Sequence, residues 1–90
     1  MTKRIHAFVS GSVQGVFFRS FIRSQANLKN LTGWVKNLPD GRVEIVAEGD
    51  SDRIDDFVEL VKAGPTASTV ENVEVETEKS SSKFHEFSIR

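Results

Sequence analysis

In the stretch Trp34-Val35-Lys36-Asn37-Leu38-Pro39-Asp40-Gly41-Arg42-Val43-Glu44-Ile45-Val46-Ala47-Glu48, two strand-like runs, Trp34 to Leu38 and Arg42 to Glu48, flank a turn signal. Pro39 fixes its own φ, Asp40 offers an acceptor to nearby backbone, and Gly41 supplies a left-handed position at no steric cost. The stretch reads as a β-hairpin. N-terminal to it, a segment ending before Gly33 has Phe18, Ile22 and Ala26, with Phe21 and Leu28 alongside, at helical spacing. Further back, Arg4 to Ser10 alternates, with Ile5, Ala7 and Val9 on one side and Arg4, His6 and Phe8 on the other, as a strand with one buried face does. The glycine-bearing segment Gly11 to Gly15 joins that strand to the helix. C-terminal to the hairpin, Ile54, Phe57, Val58 and Val61 fall at i, i+3, i+4 and i+7, with Ser51 the expected cap and Gly64-Pro65 the stop. Val70 to Thr77 alternates again. Phe84 to Ile89 is its expected partner, reached through the turn Ser80-Ser81-Ser82, with Phe87 and Ile89 facing inward.

The order β-α-β-β-α-β with a short final strand predicts an α+β, ferredoxin-like βαββαβ sandwich. Two helices cover one face of a mainly antiparallel sheet of four to five strands. A single domain over residues 1–90 follows from the length, which suffices to bury roughly 60% of the unfolded surface. That fold hosts many functions, so an activity has to be argued from a site.

Composition narrows the chemistry. Twelve basic and thirteen acidic side chains leave a formal charge of -1, which gives no electrostatic footprint for nucleic acid or an anionic membrane. Any bound anion must be held locally. The absence of cysteine removes disulfides, thiolate metal ligands and a thiol nucleophile. The apolar run Ile5 to Val9 contains His6 and stops at Ser10-Gly11, too short for a secretory segment, so a cytoplasmic protein is expected.

Two places could carry chemistry. The segment Ser10-Gly11-Ser12-Val13-Gln14-Gly15-Val16-Phe17-Phe18-Arg19 runs from strand into helix, where amide N–H groups lack intrahelical acceptors. Those amides and the helix dipole suit phosphate, and glycines let the backbone curl inward. Arg19 adds a planar fork of donors. The alternative is that the glycines only turn the chain and Arg19 is a solvated helix charge. A cation at a helix N-terminus is unfavourable by about 0.3 to 1 kcal/mol, which favours a bound anion beside it. The segment lacks the Lys-Ser/Thr ending of a nucleotide P-loop. Asn37 lies two residues after Val35 and so points to the helix-covered face. Its carboxamide either ties down the Pro39-Asp40-Gly41 turn or orients a water, accepting and donating without adding negative charge beside a phosphate.

The run Gly11-Ser12-Val13-Gln14-Gly15-Val16-Phe17-Phe18-Arg19 resembles the acylphosphatase signature, and Gly33-Trp34-Val35-Lys36-Asn37 with Asp40-Gly41-Arg42-Val43-Glu44 resembles that family's second block. The similarity continues through Gly49 and Ala63-Gly64-Pro65 to Phe87-Ser88-Ile89. It implies a hydrolase of acyl phosphates, with Arg19 and Asn37 as the catalytic pair. The phosphate cradle is then the backbone of Ser12, Val13, Gln14, Gly15, Val16, Phe17 and Phe18 together with Arg19. It implies no cofactor and no metal, inorganic phosphate as product or competitive inhibitor, and a monomer. Phe17 is bulkier than the small residue often found there, and Asn27 to Leu31 replaces a more usual leucine-glycine stretch. A similar domain heads the larger hydrogenase-maturation carbamoyltransferases, but a chain without zinc-finger cysteines is expected to stand alone.

The expelled carboxylate has a conjugate acid with a pKa near ~4, so no general acid is required. This suits a sequence without suitably placed paired carboxylates, a His-centred triad or metal-ligand spacing; His6 and His85 read as lone strand residues. Two rivals are weighed. An RNA-binding sheet needs aromatic residues on a central strand, and Arg42 to Glu48 has none. A non-catalytic anion-binding module would keep the pocket without turnover. Trp34 and the seven phenylalanines read as packing residues.

Overall fold

The computed structural model describes residues 1–15 and 17–90; Val16 of the expected cradle lies outside the described residues. The elements are β1 (Thr2–Ser12), α1 (Phe18–Leu28), β2 (Thr32–Asn37), β3 (Val43–Asp50), α2 (Ser51–Ala63), β4 (Thr69–Glu78) and β5 (Phe87–Ile89). They form a five-stranded sheet in the order β4-β1-β3-β2-β5. Neighbours pair antiparallel except β2 with β5. The ferredoxin-like α+β reading holds.

Period-two alternation does the sorting. Ile5, Ala7 and Val9 of β1, Val35 of β2 and Val43, Ile45 and Ala47 of β3 are all buried on the helix-covered face. On them lie Phe18, Ile22 and Ala26 of α1 and Ile54, Phe57 and Val61 of α2. The helix α1 covers β2 and β5, and α2 covers β1, β3 and β4. Leu28, expected alongside the apolar stripe, is exposed. Two residues beyond Ala26 is about 200° round the helix, and that turns it to solvent.

Three further expectations are corrected. Asp50, not Ser51, caps α2: its carboxylate accepts from Asp52 N at 3.0 Å, while Ser51 is the first helical residue and its N–H donates to Met1 O at 2.8 Å. The final strand does not pair with β4. The two lie at opposite edges, with β4 on β1 and β5 parallel to β2 in the register Gly33↔Phe87. The serine turn serves that crossing. The Ser81 and Ser82 N–H groups donate to the buried Glu48 carboxylate at 3.0 and 2.8 Å, satisfying a charge that would otherwise be costly. His85 lies outside any strand and is exposed.

Gly33 fixes β2 against β3. It holds φ at +141°, and a Cβ placed there would come to 1.9 Å from Val46 O. Gly33→Ala is expected to lower stability by about 2 to 3 kcal/mol, read as a shift in urea midpoint at unchanged slope. An unshifted midpoint would mean the two strands can separate at no cost.

Candidate active site

The C-terminal end of β1, the start of α1 and the end of β2 meet at one end of the sheet. β1 runs on to Ser12 as its last residue, paired with Thr69 after a register irregularity between Ser10 and Gly11. Val13 is then fully buried and pins the connection to the core. Gly15 follows at φ 74°, where a side chain would be strained. Phe17 is the N-cap residue of α1 at φ 60°, ψ 23°, a left-handed conformation that costs an aromatic residue on the order of 1 kcal/mol. It makes no side-chain cap, and no acidic residue stands in the first turn. The N–H groups of Phe18, Arg19 and Ser20 are thus left without intrahelical acceptors.

A cleft of about 260 Å³ opens there. Its walls include Val13, Gly15, Phe17, Phe18 and Ile89, and its polar side chains are Arg19, Asn37 and Ser20. Arg19 and Asn37, eighteen positions apart in the chain, therefore face one space. Arg19 Nη1 donates to Arg90 O at 3.3 Å, a long contact that leaves most of the guanidinium's five donors available. Asn37 Oδ1 is buried and has no hydrogen-bond partner among the described residues. An orphaned buried acceptor costs about 1 to 3 kcal/mol, so a donor entering the cleft would gain by meeting it.

The turn does not occupy that oxygen. Asp40 Oδ1 accepts from Arg42 N at 3.0 Å and Oδ2 from Arg42 Nε at 2.8 Å. Leu38 N donates to Arg42 O and Gly41 N to Leu38 O. Of the expected cradle, Gly15, Phe17 and Phe18 line the cleft, Val13 backs it, and Ser12 stays in β1. Gln14 turns its side chain to the hairpin, where Nε2 donates to Leu38 O and Arg42 O, each at 2.9 Å. That contact, the Arg90 carbonyl on Arg19 and the place of Ile89 in the wall were missed by the sequence reading. Only Ile89 left a trace there, as an inward residue of the last strand.

Uncapped helix amides, a guanidinium and a carboxamide oxygen without a partner among the described residues thus gather at one end of the sheet, an arrangement chemically suited to a small anion and one more hydrogen-bonding group. The acylphosphatase family model matches residues 5–89. An acylphosphatase of Rubrobacter xylanophilus is 48% identical over 89 residues, covering 99% of this chain and 81% of its own length. One of Caldivirga maquilingensis is 50% identical over 88 residues, covering 97% and 93%. The crystal structure of acylphosphatase from Bacillus subtilis superposes with a TM-score of 0.94 at 44% identity, covering 100% of this chain and 99% of the other. The chain belongs to the acylphosphatase family, whose reaction is the hydrolysis of acyl phosphates to carboxylate and inorganic phosphate.

The turn that ends in Arg42 is itself testable. The Arg42 backbone N–H and then its side chain hold the Asp40 carboxyl below the ordinary carboxylate range. A lowered folded-state pKa means the contact stabilises above the unfolded carboxyl's pKa and is lost as pH falls through the folded one. The Asp40 carboxyl carbon is expected to titrate below the usual range in NMR, and Arg42→Ala to move it part of the way back, since the backbone donor remains. An unmoved midpoint in that variant would remove the side-chain contact.

Proposed function

We propose that this chain hydrolyses acyl phosphates by holding the phosphoryl group between Arg19 and the amides at the start of α1, and by orienting the attacking water on Asn37. Asn37, which lines the same cleft as Arg19 and whose buried Oδ1 has no hydrogen-bond partner among the described residues, is the observation that carries the reading. A water donating one proton to that oxygen has its lone pair free to point at phosphorus, in line with the departing carboxylate. Arg19 and the helix amides meet the charge that spreads over the phosphoryl oxygens, and fixed donors in a partly desolvated cleft act without reorganising. The proton lost by the water passes to the phosphate. The leaving carboxylate needs none.

The same reading has no metal and no covalent intermediate. Among the described residues, the cleft wall offers no carboxylate, imidazole or thiolate to hold a cation, and the one basic side chain beside Ser20 there, the Arg19 guanidinium, does not accept a proton.

Asn37→Ala is expected to lower kcat about 10²- to 10³-fold with the phosphate inhibition constant nearly unchanged, because it removes a donor–acceptor group that matters to the water and not to the anion. Arg19→Ala should instead raise the phosphate inhibition constant and depress kcat together. Normal turnover in the first variant, or unaltered phosphate inhibition in the second, would remove that residue from its role. With acetyl or benzoyl phosphate as substrate, turnover is expected to persist in excess EDTA. Its loss in EDTA, restored by one added divalent ion, would overturn the metal-free reading.

A further inference from the structure

The phosphate loop and Asn37 come from separate parts of the chain, so something must set the gap between them. Gln14 is placed to do so. Its Nε2 donates to Leu38 O and to Arg42 O, both at 2.9 Å. These carbonyls frame the base of the hairpin turn, since Leu38 N donates to Arg42 O at 2.8 Å and Gly41 N to Leu38 O at 3.1 Å. Each carbonyl thus serves one donor within the turn and one on Gln14. Both amide protons are used, and a flipped amide would set its oxygen against two carbonyl oxygens, so the carboxamide has one allowed orientation. At one end of this link, Gln14 is bonded to Val13, buried in the core, and to Gly15, in the cleft wall. At the other, Leu38 is bonded to Asn37, the last residue of β2. A cradle that acts through backbone N–H groups has no need of a carboxamide at this position.

We propose that Gln14 is a positioning residue for the hydrolysis: its side-chain amide fixes the distance between the phosphate loop and the Asn37 carboxamide, and hence the in-line placement of the water. This rests on the Asn37 assignment made above. Gln14→Met keeps the length of the side chain and removes both donors; Gln14→Glu keeps the shape and turns a charged acceptor toward two carbonyl oxygens.

The test measures kcat, KM, the phosphate inhibition constant and thermal unfolding for both variants, each made alone and combined with Asn37→Ala, with enzyme concentration raised for the slow ones. A misplacement of about 1 Å costs up to about 10² in rate, so each single variant is expected to lose about 10- to 100-fold in kcat, with phosphate inhibition within about twofold of the parent. In the Asn37→Ala background the further loss should shrink to about twofold or less, because a residue that acts through Asn37 has nothing left to place. A folded Gln14→Met or Gln14→Glu with kcat within about twofold of the parent overturns the proposal. So does a loss that carries undiminished into the Asn37→Ala background, or a phosphate inhibition constant that rises in step with the lost rate. Full turnover by Asn37→Ala alone would overturn the water-holding assignment and this proposal together, whereas undiminished loss on an already impaired Asn37→Ala overturns this one alone.

Discussion

One row of residues across three strands, Val9 of β1, Val43 of β3 and Asn37 of β2, holds the site end of the sheet in register. Val9 and Val43 are wholly buried under the helices. Because side chains alternate, a slip of one residue on either side of β3 would turn Val9 or Asn37 to the opposite face. β1 passes this row on its way into the β1–α1 connection, and β2 ends on it. The antiparallel pairing therefore delivers the β1–α1 connection and Asn37 to the same end of the sheet. The cleft is a consequence of that registry, which the apolar core enforces.

The two helices of the fold obey different electrostatic rules. In α2, Asp50 caps the N-terminus, Asp52 stands in the first turn and Lys62 in the last, all complementing the helix dipole. In α1 there is no side-chain cap, no acid in the first turn and no base in the last, and Arg19 sits where a cation is least welcome. Both helices bury a full apolar stripe, so packing does not account for the contrast. A helix whose N-terminus is free of competing anions is available to one from outside. Local arrangements that forgo stability in this way belong where binding or chemistry is done.

Much of this was legible in the chain because it is local. Pro39-Asp40-Gly41, the 3.6-residue spacing from Ile54 to Val61 and the alternation from Ile5 to Val9 each depend on near neighbours and survived intact. The partner of the last strand did not, because alternation records which face is buried and says nothing of which edge is joined. Nothing in Ser80-Ser81-Ser82 announces that two of its amides grip Glu48 across the sheet. The cap of α2 was misassigned for a related reason: Asp50 and Ser51 can both cap, and only the backbone conformation at Asp50 chooses. At the site, the residue types of Arg19 and Asn37 were readable, but their convergence was not. Gln14 was placed in the cradle for its backbone; its side-chain partners lie 24 and 28 residues away and are carbonyls, which carry no side-chain identity to read.

Three separate costs fall on this one cleft. Asn37 Oδ1 forgoes about 1 to 3 kcal/mol by lacking a partner among the described residues. Phe17 adds roughly 1 to 2 kcal/mol in a left-handed backbone, and the residue is 85% exposed, so that little packing offsets it. Arg19 adds about 0.3 to 1 kcal/mol against the helix dipole. A domain has only about 5 to 15 kcal/mol of net stability, so together these are a large concession at a single place. The Phe17 strain belongs to the curl of the loop and would persist with or without an occupant. The other two would be relieved together by a phosphoryl group at the helix start with a water against the carboxamide. A neutral ligand would not meet both, since it leaves Arg19 opposed to the dipole. On the function proposed, a phosphoryl group and its attacking water would meet both costs at once, and that is the pairing a hydrolase has to stabilise.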